Sequence, residues 1–150
     1  MKRFVWRLQK VLDVKTKQEE IQRIELFRLT EKLTEKQSEL LLCQRVLRDL
    51  IDGISRDRSS QRLTAQEFFL KQAATSDEQI RGLKNQVAEL KARQKEKTAE
   101  LLAVRRSKEG LERLRAQARE QFMREQDKLE QKELDDRSTM AFARRESMKG

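Results

Sequence analysis

The residues able to do chemistry are few. There is no histidine among the 150 residues, so the chain has no imidazole base, no Ser-His or Cys-His pair, and none of the commonest ligand for transition metals. Cys43 stands alone, and a lone thiol closes neither an internal disulfide nor a CxxC site. No glycine-rich phosphate loop occurs. We read the chain as non-enzymatic and without a cofactor or metal. Its functional residues must act by contact.

Composition limits what can position such residues. Charged residues make up 41% of the chain and hydrophobic residues 36%, with no proline and four glycines. An ordinary globular domain is about half apolar and about a quarter charged, so a broad core is excluded. Without proline and with so little glycine, hairpins and sandwiches lack their turns. Long helices joined along narrow apolar seams remain.

Two such seams are present. Leu26, Leu29, Leu33, Lys36, Leu40, Cys43, Leu47, Leu50 and Ile54 alternate steps of three and four, an a/d heptad pattern with Lys36 as its polar intrusion. The second runs Ile80, Leu83, Val87, Leu90, Gln94, Lys97, Leu101, Val104, Lys108, Leu111, Arg115, Ala118, Phe122. Between them, Ser55 to Arg62 is polar and reads as a turn. Thr64-Ala65-Gln66-Glu67 and Ser76-Asp77-Glu78-Gln79 have the form of capping boxes. They predict a short helix through Phe68, Phe69 and Leu70, and a fresh start for the second long helix. Gly53 fits the end of the first long helix. Gly82 and Gly110 fall at outward positions.

If the seams meet as an antiparallel hairpin, facing residue numbers add to a constant. The value 130 pairs Leu47 with Leu83, Leu50 with Ile80, Leu40 with Leu90, Cys43 with Val87 and Leu29 with Leu101, and sets Lys36 against Gln94. Carried towards the N-terminus it pairs Leu12 with Ala118 and Leu8 with Phe122, with Ile21 and Ile24 off the frame. A stutter and looser packing are therefore expected between Leu12 and Leu26. The resulting expectation is one all-α coiled-coil domain, 1–150. It is elongated, with a first helix at about 4–55, a small helical tip at 56–75 and a second helix at about 77–143. From about residue 129 onward the second helix would have no internal partner, an overhang of roughly 30 Å that is marginal alone in water.

The net charge is +9, from 35 Lys+Arg and 26 Asp+Glu. The basic residues are interleaved with glutamates, as in Arg81-Lys84-Glu89-Lys91-Arg93-Glu96. No aromatic platform or basic region of the bZIP kind accompanies them, so specific nucleic-acid binding is not expected. A positive chain would instead be drawn to an acidic cavity in a partner. No apolar run approaches the roughly 18 residues that span a bilayer, and Arg7 and Lys10 interrupt the opening segment as a signal-peptide core. Trp6, beside Arg3, Arg7 and Lys10, could touch an anionic membrane surface, though Leu8 and Leu12 have hairpin partners to bury against.

Three segments resemble a known family. They are Phe4-Val5-Trp6-Arg7-Leu8-Gln9-Lys10-Val11-Leu12-Asp13-Val14-Lys15, Glu120-Gln121-Phe122, and Glu130-Gln131-Lys132-Glu133-Leu134-Asp135-Asp136. Together, over essentially the whole length, they look like the FliJ family of flagellar export proteins, with Asp136 where glutamate is usual. Thr64-Ala65-Gln66-Glu67 resembles the family as well. The resemblance implies an antiparallel coiled coil similar to the central stalk of rotary ATP synthases. Such a stalk serves the export apparatus at the cytoplasmic face of the inner membrane. Its implied partners are the export ATPase hexamer, which it helps to assemble, the export gate protein, and export chaperones. Glu130, Gln131, Leu134 and Asp135 would meet the ATPase, and Phe68 and Phe69 the gate. A monomer is expected for the chain alone. The competing readings are the equivalent stalk of a virulence injectisome and a homo-oligomeric scaffold.

Overall fold

A computed structural model describes residues 2–56 and 62–149. It contains two helices, α1 (Gln9–Arg56) and α2 (Arg62–Lys149), and no strand among the described residues. Nothing in either sequence stops a helix: proline is absent and leucine, glutamate, lysine, arginine and glutamine predominate. Pairs spaced i, i+4 support them locally, including Glu19–Arg23 at 2.8 Å and Glu120–Arg124 at 2.7 Å, each worth about 0.2–0.5 kcal/mol.

Among the described residues the tip of the sequence reading is not a separate helix. α2 is continuous from Arg62, and both capping-box sequences lie inside it. Ser76 is half-buried, and the hydroxyl of Thr75 donates to the Lys71 carbonyl at 3.0 Å, back-bonding within the helix rather than capping its start. With no proline or glycine between Arg62 and Ser76, helix propagation wins over a local cap. Residues 57–61 of the expected turn, and the side chain of Ile54, lie outside the described residues.

The chain forms two compact units, each a stretch of α1 and α2 side by side. In the middle unit, Glu19–Ala103, the core is Leu33, Ile80, Val87 and Leu101, each 5–7% exposed. The other seam residues there, Leu26, Leu29, Leu40, Leu47, Leu50, Leu83 and Leu90, are half-buried, as a two-helix seam allows. The register departs from the expected one. Gln94 donates to the Thr30 hydroxyl at 3.1 Å, and the Lys97 ammonium meets Glu25 at 2.7 Å. Cys43 and Glu39 share a groove with Gln79, Leu83 and Gln86. These facing numbers centre on 123, one heptad from 130. Leu33 therefore stands opposite Leu90, Leu40 opposite Leu83, and Cys43 opposite Ile80 rather than Val87; Leu47 does not face Leu83. The physical reason is the short connection: α1 ends at Arg56 and α2 begins at Arg62, which leaves no room for a tip of twenty residues.

No stutter interrupts α1. Glu19 is buried and Gln22 half-buried, and they continue the heptad frame into Leu26. Ile21 and Ile24 are more than half exposed. The seam passes through polar residues, and the apolar ones face outward.

The terminal unit comprises Met1–Gln18 and Val104–Gly150, with Leu12 as its buried hydrophobic residue. Residues 2–8 are not helical, so α1 begins later than expected; the Gln9 amide donates to the Trp6 carbonyl at 3.2 Å. This bend sets the Phe4 ring against Phe122, centroids 5.5 Å apart. The guanidinium of Arg115 lies 5.7 Å from the Phe4 centroid and its Nε donates to Gln9 at 2.9 Å. Phe122 is thus partnered by Phe4 rather than Leu8, and Arg115 by Gln9 and Phe4 rather than Lys15.

Candidate partner-binding surfaces

The sequence points to one surface near the C-terminal end of α2. Helical geometry places Glu130 beside Leu134 and Gln131 beside Asp135, one turn apart. All four side chains are exposed, Leu134 by 57%. The Gln131 amide lies 3.4 Å from the Asp135 carboxylate, and the Asp135 carbonyl accepts from the Thr139 hydroxyl at 2.8 Å. The result is a leucine flanked by two carboxylates and an amide. Such a patch can seat an apolar side chain while accepting hydrogen bonds from arginine, lysine or amide donors.

From residue 127 to 149 every side chain is exposed. Leu129, Met140, Phe142 and Met148 are 53–89% exposed there, alongside Leu134. Met140 and Phe142 escaped the sequence reading because they fall off the heptad frame. Apolar side chains on a highly charged helix with no facing seam were the available signal.

Phe68 and Phe69 lie in the second turn of α2. Phe68 is 60% exposed and Phe69 half-buried, their rings 6.0 Å apart and edge to face. Consecutive helical positions point about 100° apart, so the pair divides between inside and outside. Phe69 extends the inward row Phe69, Ala73, Ser76, Ile80; Phe68 is the residue available to a partner.

A third apolar surface, absent from the sequence reading, lies on α1, where Ile21, Ile24 and Phe27 are 52–64% exposed. Among the described residues no group of three or more histidine, cysteine or acidic residues is arranged to hold a metal ion, and no helix is long and apolar enough to cross a membrane.

The positively charged seam residues are put to use. Lys97 is held by Glu25 and, at 3.3 Å, by Glu100. Hydrogen bonds to these two carboxylates raise its pKa above the usual lysine value, against a smaller opposing effect of burial. Lys36 reaches Glu39 at 3.3 Å.

The two helices place the chain in the class of all-α helical-hairpin coiled coils, with the acidic-amide-leucine motif on an exposed stretch of α2. Residues 3–147 match the FliJ family, described as the flagellar FliJ protein, and the chain belongs to that family. Neither the curated proteins nor the solved structures gave a match. Membership makes the chain a component of the flagellar protein-export apparatus, in a family that is non-catalytic.

Proposed function

We propose that this chain is a stalk-like accessory factor of the flagellar export ATPase, working in the cytoplasm at the inner face of the membrane. In this reading it binds the ATPase hexamer, promotes its assembly and turnover, and links it to the export gate protein and to export chaperones. The observation that carries the reading is the end of α2. Residues 127–149 form helix with every side chain exposed, and the family motif lies inside that stretch. A helix of this length is marginal in water unless something packs on it, so a partner's groove supplies what this chain does not. Glu130, Gln131, Leu134 and Asp135 contact the ATPase, and Phe68, assisted by Phe69, contacts the gate.

The match to a family described as flagellar favours the flagellar system over an injectisome. The test is turnover of the purified export ATPase with substoichiometric added chain. Wild type raises the rate, and the variant with Glu130, Gln131 and Asp135 all changed to alanine does not, although its helicity is unchanged. A triple variant that stimulates like wild type would move the ATPase contact elsewhere.

A further inference from the structure

The middle unit has two ways to pair its helices, and they lie one heptad apart. In the register observed, the layers are Leu26–Lys97, Leu29–Gln94, Leu33–Leu90, Lys36–Val87, Leu40–Leu83, Cys43–Ile80, Leu47–Ser76 and Leu50–Ala73, as fixed by the Thr30–Gln94 and Glu25–Lys97 contacts. Half of these set a polar residue against an apolar one. The polar groups are satisfied sideways: Lys97 by Glu25 and Glu100, Gln94 by Thr30, Lys36 by Glu39. Sliding α1 by seven residues gives Leu29–Leu101, Leu33–Lys97, Lys36–Gln94, Leu40–Leu90, Cys43–Val87, Leu47–Leu83 and Leu50–Ile80. Every a position still faces a d position, the apolar layers become the majority, and Lys36 meets an amide.

Opposing effects follow. Seam matching in the middle unit favours the slipped register. Helix length favours the observed one, because with α1 ending at Arg56 a slide of one heptad leaves the early turns of α2, Glu67 through Ala73, without a facing residue. The Gln9–Arg115 and Phe4–Phe122 contacts, which a slide of the whole of α1 would break, favour it too. A strong preference for one register comes from a seam that punishes slippage, and polar residues at a and d positions are the usual device. Here those residues punish the register that is occupied. We propose that the middle unit is bistable. The slipped pairing is a minor state of the free protein, and whatever holds or releases the first turns of α2 selects between the two. The pairing switches by discrete heptads, since intermediate registers would point the leucines outward. This proposal rests on the pairing of α1 with α2 and not on the partners assigned above.

Cys43 provides the reporter, because the full chain has no other cysteine. Ile80→Cys places a thiol opposite it in the observed register. Gln79→Cys, an exposed position in the same groove, does so without touching the core. Val87→Cys places a thiol opposite Cys43 in the slipped register, and Gln94→Cys does so only after two heptads. With oxidised glutathione as oxidant, each intramolecular disulfide is read as a monomeric product over time. Ile80→Cys and Gln79→Cys should close fast. Val87→Cys should close more slowly but to completion, at least about tenfold faster than Gln94→Cys, which traps only general opening. Adding Lys36→Leu, which favours the observed register on both counts, should slow Val87→Cys about tenfold and leave Gln79→Cys unchanged. If Val87→Cys closes no faster than Gln94→Cys, or if Lys36→Leu leaves its rate unaltered, there is no slipped state and the proposal is wrong.

Discussion

The Thr30 hydroxyl donates to the Leu26 carbonyl at 2.8 Å and accepts from the Gln94 side-chain amide at 3.1 Å. One small side chain on α1 thus satisfies a polar intrusion in the seam of α2 and fixes which residues lie opposite one another. Thr30→Val keeps the shape and removes the acceptor. It should lower the stability of the middle unit by about 1 kcal/mol, the usual net worth of such a bond, read as a lower midpoint in urea with an unchanged slope.

Buried and outward apolar residues should respond differently to truncation. Leu33 is 6% exposed and Leu101 5%, so either one changed to alanine should cost about 2–4 kcal/mol. Ile24 is 52% exposed, and Ile24→Ala should cost about 0.5 kcal/mol or less. Equal losses from Leu33→Ala and Ile24→Ala in chemical denaturation would mean that the seam is misplaced.

Gly82 and Gly110 lie within α2, and a Cβ at either would meet nothing within 4 Å. Alanine there removes backbone freedom from the unfolded chain without a clash. Each of Gly82→Ala and Gly110→Ala should raise stability by roughly 1 kcal/mol, visible as a higher melting temperature.

The Lys97 ammonium is stabilised by Glu25 and Glu100, so its folded pKa lies above the usual value of 10.5. A raised lysine pKa contributes stability that is fully present below the unfolded value and is lost as pH rises through the folded one. Wild type should therefore lose stability above about pH 10.5 that the Lys97→Met variant does not lose, and the two should run parallel from pH 7 to 9. The pair is partly exposed, so the loss is small. Thermal unfolding of both proteins across the alkaline range measures it.

Much of this was legible before any coordinates. The seam needs only residue spacing, and from Leu26 to Leu50 and from Ile80 to Phe122 the positions named from heptads are buried or half-buried. The register was not legible. Apolar matching pointed to 130, whereas the length of the turn decided for 123, and turn length cannot be read where S/T-x-x-E sequences imitate helix starts inside a helix. The stutter was misjudged for a related reason. Ile21 and Ile24 invite a shift of frame, but the frame runs through Glu19, whose carboxylate Arg23 holds at the seam edge, and Gln22, whose Oε1 is buried without a hydrogen-bond partner among the described residues. The C-terminal surface was found from a family motif, while Met140 and Phe142 beside it follow no spacing rule. The link between Arg115, Phe4 and Gln9 depends on a bend before α1 that no periodic pattern announces.

The central claim is that the exposed end of α2 is where the export ATPase binds. Affinity of the purified ATPase for the full chain, compared with a chain ending at Gln126, tests it most directly. The account predicts saturable binding by the full chain and loss of at least about tenfold in affinity on truncation, with the melting of the remaining helices unchanged because every side chain from 127 to 149 is exposed. Equal affinity of the two chains, or no binding by either, would contradict it.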